Sequence, residues 1–241
     1  MQENEDLLKE HGFSSGKYNW IPDFVYGGID GAVTTFAVVA GVEGANLSVP
    51  IILILGFANL FADGFSMSVG KYLSDKSNID QYEKIKQIEY RHLTEKRDHE
   101  ISEVRDILKS YGFKGKDLTR GVEIITSNPD AWVDLMMRNE FNMTLENVDP
   151  LKGGFSTFIS FILIGFIPLV GYVFGPMIGM GNGSTFVFTC ISTLLALFVV
   201  GAVKSRFSLK NWFTSGLQTA LIGGIAAAIA YLVGYFLRGI V

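Results

Sequence analysis

Two carboxylates stand inside apolar stretches where charge is costly. Asp30 lies in Gly27-Gly28-Ile29-Asp30-Gly31-Ala32, and Asp63 lies in the next apolar stretch, four residues before Met67. An ionisable side chain within a bilayer costs several kcal/mol unless it faces a bundle interior or a water-filled path. Two such acids on successive helices, beside a thioether, suit a route for a metal cation. Asp23 and Asp30 are seven residues apart and share a helix face. Asn59, Asp63, Ser66, Met67 and Gly70 form a matching stripe on the second helix. Hard cations such as Mg2+ and Ca2+ want oxygen ligands only. A methionine in the set favours Fe2+ or Mn2+ over Mg2+. The acids can also exchange protons, which would couple metal movement to a proton gradient. The plainer alternatives are packing for Met67 and a structural hydrogen bond for Asp30.

A second donor set lies further along. Glu89 and His92 form Glu-x-x-His, and Glu100 and Glu103 form Glu-x-x-Glu. Spacing i, i+3 puts each pair on one helix face. Helical bundles use Glu-x-x-His pairs to hold iron or manganese, although acids on a solvated helix are also ordinary. Glu89 and Glu103 would be ~21 Å apart on an unbroken helix, at 1.5 Å per residue. One shared site therefore needs a turn between them, and Thr94 or Asp98 could cap the new helix. Met136, Met137 and Glu140 are further donors.

These residues need elements to hold them. The chain has 241 residues, 49% of them hydrophobic, and a mean hydropathy of +0.31. That composition fits an integral membrane protein with a polar part. A net charge of −4 does not suggest nucleic-acid binding. Cys190 is the chain's one cysteine, so no disulfide or cysteine metal cluster forms within it. Crossing ~30 Å of hydrocarbon takes about 20 helical residues. Such stretches run over 23–45, 49–72, 154–175, 184–204 and 212–237. Residues 153–203 carry no charge, and the Gly/Pro cluster around Pro176 divides them. Pro168 should kink the third span.

Residues 71–152 hold 30 of the 44 charged residues. Their apolar positions recur at helical spacing, at Tyr82, Ile85 and Ile88, then Ile101, Val104, Ile107 and Leu108. Further helices are expected over 117–127 and after Asn128-Pro129-Asp130, the latter with Trp132, Leu135 and Met136 on one side. The reading is an all-α integral membrane protein: an N-terminal segment 1–22, helices one and two over 23–72, an inserted helical domain 73–152, and helices three to five over 153–241. The polar segment 1–22 is not a signal peptide by its pattern. Lys71, Lys76, Lys152, Lys204, Arg206 and Lys210 fall on one side, so the N-terminus and the inserted domain are expected in the cytoplasm.

Three segments resemble the vacuolar iron transporter family: Asp30-Gly31 with Phe36-Ala37-Val38-Val39-Ala40-Gly41; Ala62-Asp63-Gly64-Phe65-Ser66-Met67-Ser68-Val69-Gly70-Lys71-Tyr72-Leu73; and Asn128-Pro129-Asp130-Ala131-Trp132-Val133-Asp134-Leu135-Met136-Met137. With the five-helix layout, the likeness covers nearly the whole chain from Asp23. It implies a proton-coupled exporter of Fe2+, often also Mn2+, from the cytosol, with no enzymatic activity. It implies a homodimer whose ion path lies at the dimer interface, lined by the first two helices. Asp23, Asp30 and Met67 match the family's path residues. Glu89, Glu100, Glu103 and Glu140 match its cytoplasmic metal-collecting acids, with Met136 and Met137 nearby. Two positions depart from plant members, which carry glutamate where this chain has Asn59 and His92. These departures point to a non-plant member, with a bacterial one among the candidates. The expected location is the cell membrane for a bacterial chain and a vacuolar-type membrane for a eukaryotic one. No tightly bound cofactor is expected; Fe2+ or Mn2+ is the cargo, with Zn2+ and Co2+ as further candidates, and the partners are protons and the lipid bilayer. The rival reading from the residues alone is a membrane-anchored ferroxidase with a di-iron site at Glu89, His92, Glu100 and Glu103.

Overall fold

The computed structural model describes residues 18–144, 148–207 and 209–240. All of the regular structure among them is helical. Most of the segment 1–22 therefore lies outside the described residues. The helices are α1 (Ile21–Gly44), α2 (Val49–Glu95), α3 (Arg97–Ser110), α4 (Gly115–Thr126), α5 (Pro129–Asn139), α6 (Pro150–Gly165), α7 (Ile167–Phe174), α8 (Asn182–Lys204) and α9 (Trp212–Leu237). The chain divides into two compact units, Met1–Leu73 with Asp149–Val241, and Ser74–Val148.

In the first unit, α1, α2, α8 and α9 are each long and apolar enough to cross a membrane. A fifth candidate span is built from two pieces: α6 and the segment Ile167–Ile178 together are long and apolar enough, and they meet at a bend of 43°. The bend follows from Pro168, which lacks an N–H and sits in the first turn of α7. The Thr189 hydroxyl, on α8, donates to the Pro168 carbonyl at 3.2 Å, so a carbonyl at the break is satisfied inside the bundle. The chain is an all-α, multi-pass membrane protein.

The helix α1 packs on α6, α8 and α9. Its close approach to α6 depends on glycine. A Cβ on Gly27 would lie 2.5 Å from the Thr157 carbonyl oxygen, and one on Gly31 would lie 2.5 Å from that of Phe161. Lipid offers no hydrophobic drive for helix association, so small residues that let backbones touch take over. At the far end of α1, the Tyr172 hydroxyl, on α7, donates to Glu43 at 2.7 Å. The start of α6 is set by Asp149, whose carboxylate accepts from the Lys152 N–H at 3.1 Å, followed by Pro150.

The second unit has its own apolar core, made by Leu93, Val104, Leu108, Val122, Trp132, Val133, Met136 and Met137. No Gly or Pro follows Gly70 in the second apolar stretch until after Glu95, so α2 continues as one helix of 47 residues. It stops at Lys96, whose φ of −132° and ψ of 33° leave the helical region. Neither Thr94 nor Asp98 caps the new helix: α3 begins without a side-chain cap, and the Thr94 hydroxyl donates back to the Arg91 carbonyl. What fixes the break is tertiary. The Arg97 guanidinium lies 5.2 Å from the centre of the Trp132 ring, and the Tyr90 hydroxyl donates to Asp130 at 2.6 Å. Asn128 caps α5 by accepting from the Asp130 and Ala131 N–H groups.

Candidate metal sites

In the first unit, Asp30 on α1 and Asp63 on α2 are both half-buried, and the Asp63 charge acts on Asp30 through space. Asn59 ties α2 to α1: its amide donates to the Thr34 hydroxyl at 3.5 Å, and that hydroxyl donates to the backbone carbonyl of Asp30 at 2.9 Å. Met67 is half-buried and packs against the cluster that includes Leu60 and Phe161. Asp23 is differently placed. Its carboxylate faces the Lys71 ammonium at 3.3 Å and accepts from the Tyr18 hydroxyl. A cation reaching Asp23 must compete with that ammonium. Sequence reasoning missed Thr34 and Lys71. The signals were there, since Thr34 follows Asp30 by one helical turn and Lys71 follows Met67 by one.

In the second unit, the break at Lys96 turns α3 so that Glu100 comes back onto the end of α2. One ligand atom each from Glu89, His92 and Glu100 lie within 4.8 Å of one another. The His92 Nδ1 is 3.4 Å from Glu89 Oε1 and 3.4 Å from Glu100 Oε1. Both glutamates are buried, at 1% and 2% exposure. The second oxygen of each, Oε2, is buried without a hydrogen-bond partner. Buried carboxylate oxygens are normally satisfied. Two orphaned ones beside an imidazole fit a cation that enters the group.

The electrostatics agree. Burial raises the Glu89 carboxyl from 4.5 to about 7, and the charges of Glu100, Glu140 and Glu103 add to the rise. Burial and then Glu103 raise Glu100. Burial, Glu103 and Glu100 raise Glu140. Like charges thus crowd one place, and a divalent cation relieves them. Glu103 pairs with His99 at 3.3 Å, a histidine that sequence reasoning passed over despite its i, i+4 spacing. Glu140 sits exposed just past the end of α5. Met136 and Met137 are fully buried in the apolar core.

The VIT family profile matches residues 21–235, nearly all of the chain. The chain belongs to the VIT family. It is 36% identical to Vacuolar iron transporter 1 of Eucalyptus grandis over 236 residues, which cover 95% of this chain and 92% of that protein. It is 35% identical to Vacuolar iron transporter 1 of Arabidopsis thaliana over 235 residues, 95% and 91% of the two. It is 32% identical to the Vacuolar iron transporter of Plasmodium berghei over 242 residues, 98% and 85% of the two. All three of these VIT proteins bear a transporter's name and none an oxidase's, so the ferroxidase reading finds no support among them.

Proposed function

We propose that this chain carries divalent iron, with manganese as a second cargo, out of the cytosol in exchange for protons. The observation that carries the reading is the Asp30–Asp63 pair: two half-buried acids on α1 and α2, apolar helices that the Asn59–Thr34 hydrogen bond holds side by side one turn from Asp30. Carboxylates can hold a divalent ion or protons but not both fully, which is the requirement for exchange. Names of the relatives, vacuolar iron transporters, supply the metal.

In this reading Glu89, His92 and Glu100 capture the ion on the cytosolic side, with Glu103 and Glu140 raising its local concentration. Asp30, Asp63 and Met67 then hold it within the membrane, and Asp23, released from Lys71, contributes at the entrance. The basic residues Lys71, Lys76, Lys152, Lys204, Arg206 and Lys210 support a cytosolic inserted unit. The working form is a homodimer with the path along α1 and α2.

The test is Fe2+ entry into proteoliposomes containing the full chain, with an acidic interior and an internal fluorescent chelator. Flux that grows with the pH gradient, and that Mn2+ competes for, supports the exchanger. Flux no greater than in protein-free vesicles would end it.

A further inference from the structure

Donors of two kinds meet where α2 ends and α3 begins. Glu89 and Glu100 bring oxygens, and His92 brings a nitrogen, with Nδ1 lying 3.4 Å from one oxygen of each acid. The remaining oxygen of each acid is buried and unpartnered. The surrounding charges, Glu103, Glu140, His99 and Lys96, act on every divalent ion alike, because Coulomb attraction at this range depends on charge and distance. They set how much metal arrives and leave its identity open. Donor type is what separates ions of equal charge. Mg2+ and Ca2+ want oxygen alone. Along the first-row series, affinity for a given N/O site rises from Mn2+ through Fe2+ to Co2+, and imidazole suits iron and zinc. A carboxylate in place of the imidazole would make the donor set all oxygen, the set that Mg2+ and Ca2+ want.

We propose that His92 is the specificity-determining residue of the cytosolic site: its Nδ1 ligates the ion and tilts capture toward Fe2+, Co2+ and Zn2+ and against Mn2+, Mg2+ and Ca2+. This rests on the reading that Glu89, His92 and Glu100 capture the cargo. It narrows that reading, because manganese becomes the disfavoured cargo at the capture step.

The test uses the full chain in detergent. Co2+ and Mn2+ are titrated separately into the wild type, His92→Glu and His92→Gln, and Fe2+ is titrated without oxygen. The wild type prefers Co2+ and Fe2+ to Mn2+. His92→Glu shrinks that preference about ten-fold, equal to about 1.4 kcal/mol of relative affinity. His92→Gln, which keeps the site's charge, loses Co2+ and Fe2+ affinity more than Mn2+ affinity and carries the test if the glutamate variant folds poorly. Zn2+ at one equivalent gives imidazole outer-shell scattering in X-ray absorption for the wild type and for His99→Ala, and none for His92→Glu. An unchanged Co2+ to Mn2+ ratio in both His92 variants, or imidazole scattering that persists in His92→Glu, overturns the proposal while leaving metal capture intact. Metal affinity that survives loss of both Glu89 and Glu100 overturns the capture reading itself, and this proposal with it.

Discussion

Replacing Glu89 by glutamine should make the metal-free inserted unit more stable while it removes a metal ligand. Raising a buried carboxyl from 4.5 to about 7 corresponds to roughly 3 kcal/mol against its ionised form, at about 1.4 kcal/mol per tenfold. Water reaches the rim of the cluster, where Glu140 is exposed, and screening cuts the figure to about half. The sign follows from linkage. A carboxyl whose folded value is raised keeps its share of stability below 4.5 and loses it as pH climbs through about 7. The metal-free unit should therefore weaken between pH 5 and 7.5, and level off above that as far as Glu89 is concerned. Glu89→Gln has no proton to lose there. At pH 7.5 its amides in residues 97–139 should exchange about ten-fold more slowly than those of the wild type, a gain of roughly 1.5 kcal/mol. Hydrogen exchange by mass spectrometry, on the full chain in chelator and corrected for intrinsic rates, reads this directly. Added Fe2+ should reverse the order, protecting the wild type and leaving the variant unchanged. Equal pH slopes in the two proteins, or a wild type that strengthens as pH rises through this window, would refute the electrostatic account of the cluster.

Three packing predictions follow from the same structure. Gly31→Ala pushes a methyl to 2.5 Å from the Phe161 carbonyl and 2.9 Å from its Cα; parting α1 from α6 should cost about 1–3 kcal/mol and lower the thermal midpoint of the solubilised protein. Met136→Ala opens a cavity in the second unit's core and should cost about 2–5 kcal/mol, seen as faster amide exchange in α3 and α5 while α8 and α9 are unaffected. Tyr172→Phe leaves the Glu43 carboxylate without its phenol donor; a loss of about 1–3 kcal/mol should appear as a lower thermal midpoint with the helical content unchanged.

Hydropathy made the first, fourth and fifth apolar helices legible to within two residues at each end. The fifth span is expected over 212–237 and observed as Trp212–Leu237; the fourth is expected over 184–204 and observed as Asn182–Lys204. Pro168 announced the bend in the third span, because a missing N–H acts locally. The continuation of α2 to Glu95 was less visible, since residues 73–95 change from apolar to charged without any helix breaker. The break at Lys96 carries no local signal at all. It is held by Arg97 against Trp132, a contact between residues 35 apart in sequence. The candidate sites divide in the same way. Spacing within one helix paired Glu89 with His92, and the need for a turn before Glu100 was evident from helix length. That Glu89 and Glu100 would both be buried with an oxygen unsatisfied, and that Lys71 would face Asp23, depended on packing that periodicity does not encode.

The most direct test of the account is Fe2+ flux through Asp30→Ala in proteoliposomes, beside the wild type at equal protein content and under the same pH gradient. The account predicts flux at the level of protein-free vesicles, while Fe2+ binding by Glu89, His92 and Glu100 in the solubilised variant is retained. Wild-type flux from Asp30→Ala would contradict it.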